Sequence, residues 1–306
     1  NYGYIIEEAQ KFEALELALI WMIEFMKIVD VDSFRSICEL WGSLARRFYL
    51  EQTADLYSFY NKFFPIVRRI IVTRMERPTE IIVYEDESGQ VIKEETRNTL
   101  TLELYKTMRN ALIFLTNIDQ LDTVNAILEK IPLLQKNWNR DTLNVMCWSA
   151  GAISGALNND IEKKFLIQII HQLLNIKATI SQDDKAIIAS CIMFICTQYP
   201  KFLVSNWEFL KTITNKLFEF MNSEMDGIQI MAVDSFHKIS EKCRRSFVCT
   251  HQNDQVKFIY NILQNFESII SNLSFDLIVS IFDSLSIIIT CADNEDKMTL
   301  IDDLTS

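Results

Sequence analysis

Two stretches of this sequence, 165–177 and 207–221, each carry two adjacent apolar lines at helical spacing, one more than a surface helix needs. In the second, Leu210, Leu217 and Met221 form one line, and Phe209, Ile213, Lys216 and Phe220 form another. In the first, Leu166, Ile169, Leu173 and Ile176 run beside Ile167, Ile170, Leu174 and Lys177. Neighbouring positions on an α-helix lie about 100° apart, so each stretch presents apolar surface in two directions. Such a helix can meet two neighbours. Interior units of a stacked helical array need two apolar faces for packing alone, and a helix pair with a spare face can instead frame a groove. The pattern fits both.

Little punctuation interrupts these helices, since the 306 residues include six glycines and four prolines. The periodicity predicts helices near 5–28, 33–50, 54–76, 99–117, 121–131, 138–157, 160–177, 185–198, 202–222, 226–243, 254–271 and 274–291. Asp32 suits an N-cap for the second, and Pro65 falls inside the third as a kink. Asp160, Asp184, Asp226 and Ser274 stand near later starts, with Pro200 and Gly227 around turns. Connections of a few residues force antiparallel neighbours. Paired as 160–198 and 202–243, the helices repeat at about 40 residues, the period of HEAT-type hairpins, with no copied motif between units. The expected fold is all-α, an α-solenoid of HEAT-type antiparallel hairpins running continuously through 1–306. A start on Asn-Tyr-Gly-Tyr, with neither Met nor a basic leader, suggests a piece of a longer chain.

One segment breaks the helical pattern. The run from Glu80 to Glu85 is β-branched and aromatic, residues 86–89 supply turn chemistry, and Val91-Ile92 resumes the apolar run. It predicts a β-hairpin at about 81–94, an insertion spanning 80–95, acidic at Glu85, Asp86, Glu87, Glu94 and Glu95. A lone two-stranded ribbon is marginal in water, so it is expected to lie against something or move.

The residues offer little chemistry. A net charge of −11 argues against a nucleic-acid binder, which needs a basic face. The densest apolar run, 17–26, contains Glu24 and ends at Lys27, too short and too charged to span a membrane. Seven cysteines, odd in number and mostly within apolar helix, fit buried free thiols. Cys191/Cys196 and Cys243/Cys249 lack the CxxC spacing of a zinc half-site. His171, His237 and His251 are scattered and read as structural. Gly151-Ala-Ile-Ser-Gly155 puts Ser154 one place too late for a nucleophile elbow and favours close helix packing instead. No enzyme, cofactor or metal site is expected.

Several long blocks resemble one family: Lys185-Ala-Ile-Ile-Ala-Ser190, Gln198-Tyr-Pro-Lys-Phe-Leu203, the stretch 207–221, Asp226-Gly-Ile-Gln229, Lys242-Cys-Arg-Arg-Ser-Phe-Val248, the stretch 143–157, and Arg74-Met-Glu-Arg-Pro78 leading into the acidic ribbon. They look like the central HEAT repeats of the exportins, karyopherin-β receptors for leucine-rich nuclear export signals. The resemblance runs from about Arg74 to Val248 and is more diffuse at both ends. It implies a receptor shuttling between nucleus and cytoplasm, with partners including cargo proteins that carry such signals, Ran-GTP, nucleoporins and Ran-binding proteins. It also implies a convex-face groove between helices 160–177 and 202–222. Ile170 and Leu174 would line one wall, and Phe209, Thr212, Ile213, Lys216 and Phe220 the other. Ala189, Met193 and Phe202 would form the floor or edge. Lys216 matches a lysine that rejects sequences not shaped like export signals. Glu85, Asp86 and Glu87 fall in a loop that presses on the back of the groove or engages Ran-GTP.

Two positions depart from that family pattern. Lys177 stands where many members carry the reactive groove cysteine alkylated by leptomycin-type inhibitors. A protonated amine is no Michael donor, so resistance is expected. Its aliphatic stem can still cover apolar surface. Gln182 replaces a basic position and would weaken contact with acidic cargo flanks. The competing reading is a generic helical-repeat scaffold whose two stripes are both used in packing.

Overall fold

The computed structural model describes residues 2–51, 59–75, 80–85, 91–96, 99–176, 181–224, 226–251 and 254–305. The chain divides into two compact units, Asn1–Ile82 with Lys93–Gln172, and Val83–Ile92 with Leu173–Ser306. Both are helical. Among the described residues, no helix is long and apolar enough to cross a membrane.

The first unit opens with α1 (Tyr2–Ile28) and α2 (Val31–Glu51), followed by α3 (Phe64–Thr73). Strands β1 (Glu80–Glu85) and β2 (Val91–Thr96) pair as a two-stranded sheet, and the residues between them lie outside the described ones. Then come α4 (Thr99–Ile118), α5 (Gln120–Leu128), α6 (Lys130–Lys136), α7 (Arg140–Ala152) and α8 (Asn159–Leu174). Asp119 and Asn139 cap α5 and α7, their side chains accepting from the backbone N–H of Asp122 and Thr142 at 2.9 and 2.8 Å.

Several expected boundaries move, each for a local reason. Asp30, not Asp32, caps α2: its Oδ1 accepts from the N–H of Asp32 and Ser33 at 3.1 Å, and its Oδ2 accepts from Ser33 Oγ at 2.8 Å. These Ser33 bonds hold the Asp30 carboxyl below the usual carboxylate range. Pro65 does not kink a long helix. Residues 61–63 form a turn, and Pro65 sits in the first turn of α3, where its missing N–H leaves no bond unmade. The 138–157 helix ends at Ala152, and Gly155 follows with φ at 80°, a left-handed turn residue. A Cβ there would meet nothing within 4 Å, so Gly155 provides backbone freedom rather than close packing. The close approach lies at Gly42, where a Cβ would come within 3.2 Å of Ala111 Cβ as α2 crosses α4.

The core of the first unit sits around α3. Trp41, Phe34 and Phe64 are fully buried, with Phe64 edge-on to Trp41 at 6.4 Å and to Phe48 at 5.2 Å between centroids. Arg68 is buried in the same layer with 1% exposure. Its guanidinium donates to Asp122 Oδ2 and, at 2.7 Å, to the Leu115 carbonyl. Burial holds its pKa below the ordinary arginine value. Asp122 also accepts from Arg69 at 3.0 Å, and Arg69 reaches Glu129 at 2.9 Å, so α3 is tied to α5 by a charged network. Arg74 closes the C-terminal end of α1, donating to the carbonyls of Met26 and Val29 at 2.8 and 3.1 Å.

The second unit comprises α9 (Gln182–Gln198), α10 (Pro200–Ser205), α11 (Trp207–Met221), α12 (Asp226–Val248), α13 (Phe258–Gln264), α14 (Phe266–Ile270), α15 (Phe275–Ile289) and α16 (Asn294–Thr305). Two expected single helices, 202–222 and 254–271, are each broken, at Asn206 and Asn265. The terminal α16 was not expected. Helix α12 packs against α9, α10, α11, α13 and α15, and it buries Ala232, Val233, Phe236, Ile239 and Phe247. Five of the seven cysteines are buried free thiols, while Cys249 is exposed and Cys291 half-buried. Burial pushes Cys196 and Cys243 up to about 12, which leaves them unreactive at neutral pH.

Candidate functional site

Helix α8 begins where Asn158 Oδ1 accepts the Ile161 N–H at 2.9 Å, with Asp160 and Glu162 in its first turn against the positive helix end. Its first apolar line is buried through Leu166, Ile169 and Leu173, each at most 2% exposed, while Ile176, past the helix end, is half-buried. The second line is split. Ile170 is 5% exposed, but Ile167 and Leu174 stand out at 47% and 57%. The helix ends at Leu174, and Lys177, with its expected place in the line, lies outside the described residues. The same holds for Asp86 and Glu87 and for the side chains of Glu85 and Gln182.

Helix α11 repeats the division. Leu210, Leu217 and Met221 are buried, whereas Phe209, Lys216 and Phe220 are half-buried, Thr212 is exposed and Ile213 is 6% exposed. Phe209 leans on Phe202 of α10, edge to face at 5.1 Å, and Phe202 is itself buried. The break that brings the two rings together is closed by Asn206, whose Nδ2 donates to the Phe202 carbonyl at 2.9 Å. Ala189 and Met193 of α9 are buried too. Thr212 turns its hydroxyl back to the Glu208 carbonyl at 2.7 Å. Lys216 pairs with Glu219 and lies 5.4 Å from the Phe220 ring centroid. The α11 residues therefore present two half-buried aromatic rings and a lysine held by Glu219, with Phe209 resting on the buried Phe202. Residues of this kind can accept an aliphatic side chain but offer no nucleophile or acid–base pair.

Sequence reasoning missed what positions α11. Trp207, in its first turn, stacks on His251 with centroids 3.9 Å apart, and edge contacts to Phe258 and Phe247 complete the cluster. Its indole Nε1 donates to Asp254 Oδ2 at 2.6 Å, and Lys211, one turn later, donates to Oδ1 at 2.5 Å. His251 donates through Nε2 to the Ser246 carbonyl at 2.8 Å, since a carbonyl can only accept. The spacing of Trp207 and Lys211 was visible on one helix face, but nothing local pointed to a carboxylate 47 residues away. The bonds from Lys211 and then Trp207 lower the Asp254 pKa. A depressed carboxylate stabilises the fold above its unfolded value of about 3.9, and the contribution fades as pH falls through the folded value. The thermal midpoint of wild type should therefore exceed that of Asp254→Asn at pH 6–7, with the gap shrinking below about pH 4. A gap that is constant with pH would show that Asp254 acts through shape alone.

Residues 57–123 match the family described as CRM1/exportin repeat 2, and residues 134–184 match CRM1/exportin repeat 3. Exportin-1 of Drosophila melanogaster is 40% identical over 290 residues, covering 89% of this chain and 27% of the relative. Exportin-1 of Dictyostelium discoideum is 35% identical over 302 residues, 95% of this chain and 29% of the relative. The Arabidopsis thaliana protein EXPORTIN 1A is 38% identical over 234 residues, 76% of this chain and 22% of the relative. The chain thus spans less than a third of the length of these relatives. Two stretches in sequence order that match CRM1/exportin repeats, within 35–40% identity to exportin-1 of two species over most of the chain, are what this chain shares with the CRM1/exportin family.

Proposed function

We propose that this chain is the cargo-binding segment of a nuclear export receptor, taking leucine-rich export signals onto the second apolar lines of α8 and α11. The identity to exportin-1 over 89% of the chain carries this reading. The division of burial supports it, because Leu166, Ile169, Leu173, Leu210, Leu217 and Met221 of the first lines are buried while Ile167, Leu174, Phe209 and Phe220 keep accessible surface. Leu174 and Ile170 face the signal from one side, and Phe209, Thr212, Ile213, Lys216 and Phe220 from the other. Ala189, Met193 and Phe202 support the floor.

The chemistry is helix-in-groove binding with apolar anchors at i, i+3 or i+4 and i+7. Each buried Leu or Phe contributes about 1.5–3 kcal/mol. Association alone costs about 4–15 kcal/mol, so the isolated segment should bind weakly. Ran-GTP can strengthen it only by preferring the same open state, and linkage makes that help reciprocal. The acidic ribbon carrying Glu85, Asp86 and Glu87 is the two-state element in this reading. Shuttling, nucleoporin contacts and Ran-binding proteins belong to the whole receptor.

Leu174→Asp tests the groove with little risk to the fold, since Leu174 is 57% exposed. Affinity for a labelled leucine-rich export peptide should fall at least about tenfold, the effect of losing one anchor, while the thermal midpoint stays put. Unchanged affinity would leave the generic scaffold as the better reading. At Lys177, intact-mass measurement after leptomycin-type treatment should show no adduct on wild type and one adduct on Lys177→Cys. An adduct on wild type at Lys177 would refute the expected resistance.

A further inference from the structure

Away from the proposed groove, the first unit holds a cleft of about 500 Å³ lined by Lys27, Pro65, Ile66, Arg69, Ile70, Thr73 and Arg74. Its volume lies within the usual range of ligand sites, about 300–1,000 Å³. The floor is aliphatic, formed by Pro65, Ile66 and Ile70 on the outward face of α3, and Ile66 is 45% exposed. The rim is cationic. Lys27 comes from the end of α1, Arg69 and Arg74 from α3 and just beyond it, and Lys130 donates to Thr73 Oγ1 at 2.9 Å.

The described carboxylates that reach this rim do not cancel it. Glu24 takes Lys27, and Asp122 and Glu129 take Arg69, with Asp122 shared by the buried Arg68. Arg74 gives two N–H groups to main-chain carbonyls and meets no carboxylate among the described residues. Among the described residues three cations line the cleft, Lys27, Arg69 and Arg74, with Lys130 held beside it on Thr73; against these four stand Glu24, Glu129 and an Asp122 already matched by the buried Arg68, on a chain whose net charge is −11. A local positive excess on an acidic protein, set around an aliphatic floor, selects a ligand that offers carboxylates next to an apolar side chain.

We propose that this cleft is a second docking site, for an acidic peptide segment of a partner protein. It would seat one aliphatic side chain on Pro65, Ile66 and Ile70, with flanking carboxylates on Lys27 and Arg74. A nucleic acid is a poorer occupant. The floor has no aromatic ring to stack a base, and the acidic chain repels a polyanion that runs beyond the cleft. The site does not depend on the export-signal reading, because none of its residues belongs to α8 or α11.

The probe is a short labelled peptide with one leucine between runs of aspartate, which lacks the several spaced anchors of an export signal. Fluorescence anisotropy against the whole chain should show binding that weakens as salt rises. Ile66→Asp and Lys27→Glu should each lower affinity at least fivefold at unchanged thermal midpoint, and Leu174→Asp should leave it intact. Ile66 and Lys27 are exposed, so both variants should fold; if one does not, the other decides. Wild-type affinity in the folded variants would overturn the site. So would equal binding of the same peptide with lysines for aspartates, tighter binding of a single-stranded oligonucleotide, or loss of binding in Leu174→Asp.

Discussion

Asp122→Ala is expected to destabilise the first unit by about 3–5 kcal/mol, because it leaves the buried Arg68 guanidinium without its carboxylate. Arg68 is 1% exposed, and its remaining described acceptor is the Leu115 carbonyl at 2.7 Å. A guanidinium cannot shed its charge to escape the mismatch. At about 2–4 °C per kcal/mol for a unit of this size, the thermal midpoint should fall by roughly 6–20 °C. Asp122 also holds Arg69 at 3.0 Å, but that side chain is 40% exposed and its share of the loss is small. The double variant Arg68→Met with Asp122→Leu separates the two effects. Removing both charges should recover most of the stability, since the pair's attraction barely exceeds its desolvation cost. A single Asp122→Ala variant that melts with wild type would mean that Arg68 reaches water when its partner is gone.

Trp207→Ala should cost about as much in the second unit, roughly 3–5 kcal/mol for a large aromatic removed from a packed site. The reason is partly geometric. Trp207 is where α11 meets His251, Phe247 and Phe258, and its indole N–H supplies one of the two hydrogen bonds to Asp254. Trp207→Phe keeps most of the ring packing and drops only the N–H, so it should cost about 1–3 kcal/mol. Because α11 carries Phe209, Ile213, Lys216 and Phe220, loosening its first turn should also weaken export-peptide binding in Trp207→Ala more than in Trp207→Phe. Equal stability of both variants and wild type would mean that the helix start is held elsewhere.

The helical character of this chain was readable residue by residue, because an apolar side chain every third or fourth position has one cheap conformation in water. Boundaries were less readable. The breaks at Asn206 and Asn265 interrupt helices whose periodicity continues across them, and Asn206 reveals its role only through a bond to the Phe202 carbonyl. Burial of Arg68 could not be anticipated, since an arginine in an amphipathic helix ordinarily extends into solvent. Its place depends on Asp122, 54 residues away.

The sequence by itself determined that the stretches 165–177 and 207–221 carry two apolar lines, and which residues stand on each. Periodicity reports direction around a helix axis and carries no information about what fills that direction. Only the tertiary structure divided the lines: Leu166, Ile169, Leu210 and Leu217 went into the core, and Ile170 and Ile213 were covered. Leu174 stayed 57% exposed, with Phe209 and Phe220 half-covered beside a lysine already held by Glu219. Which line is buried depends on neighbours far along the chain, and those contacts exist only once the helices have packed.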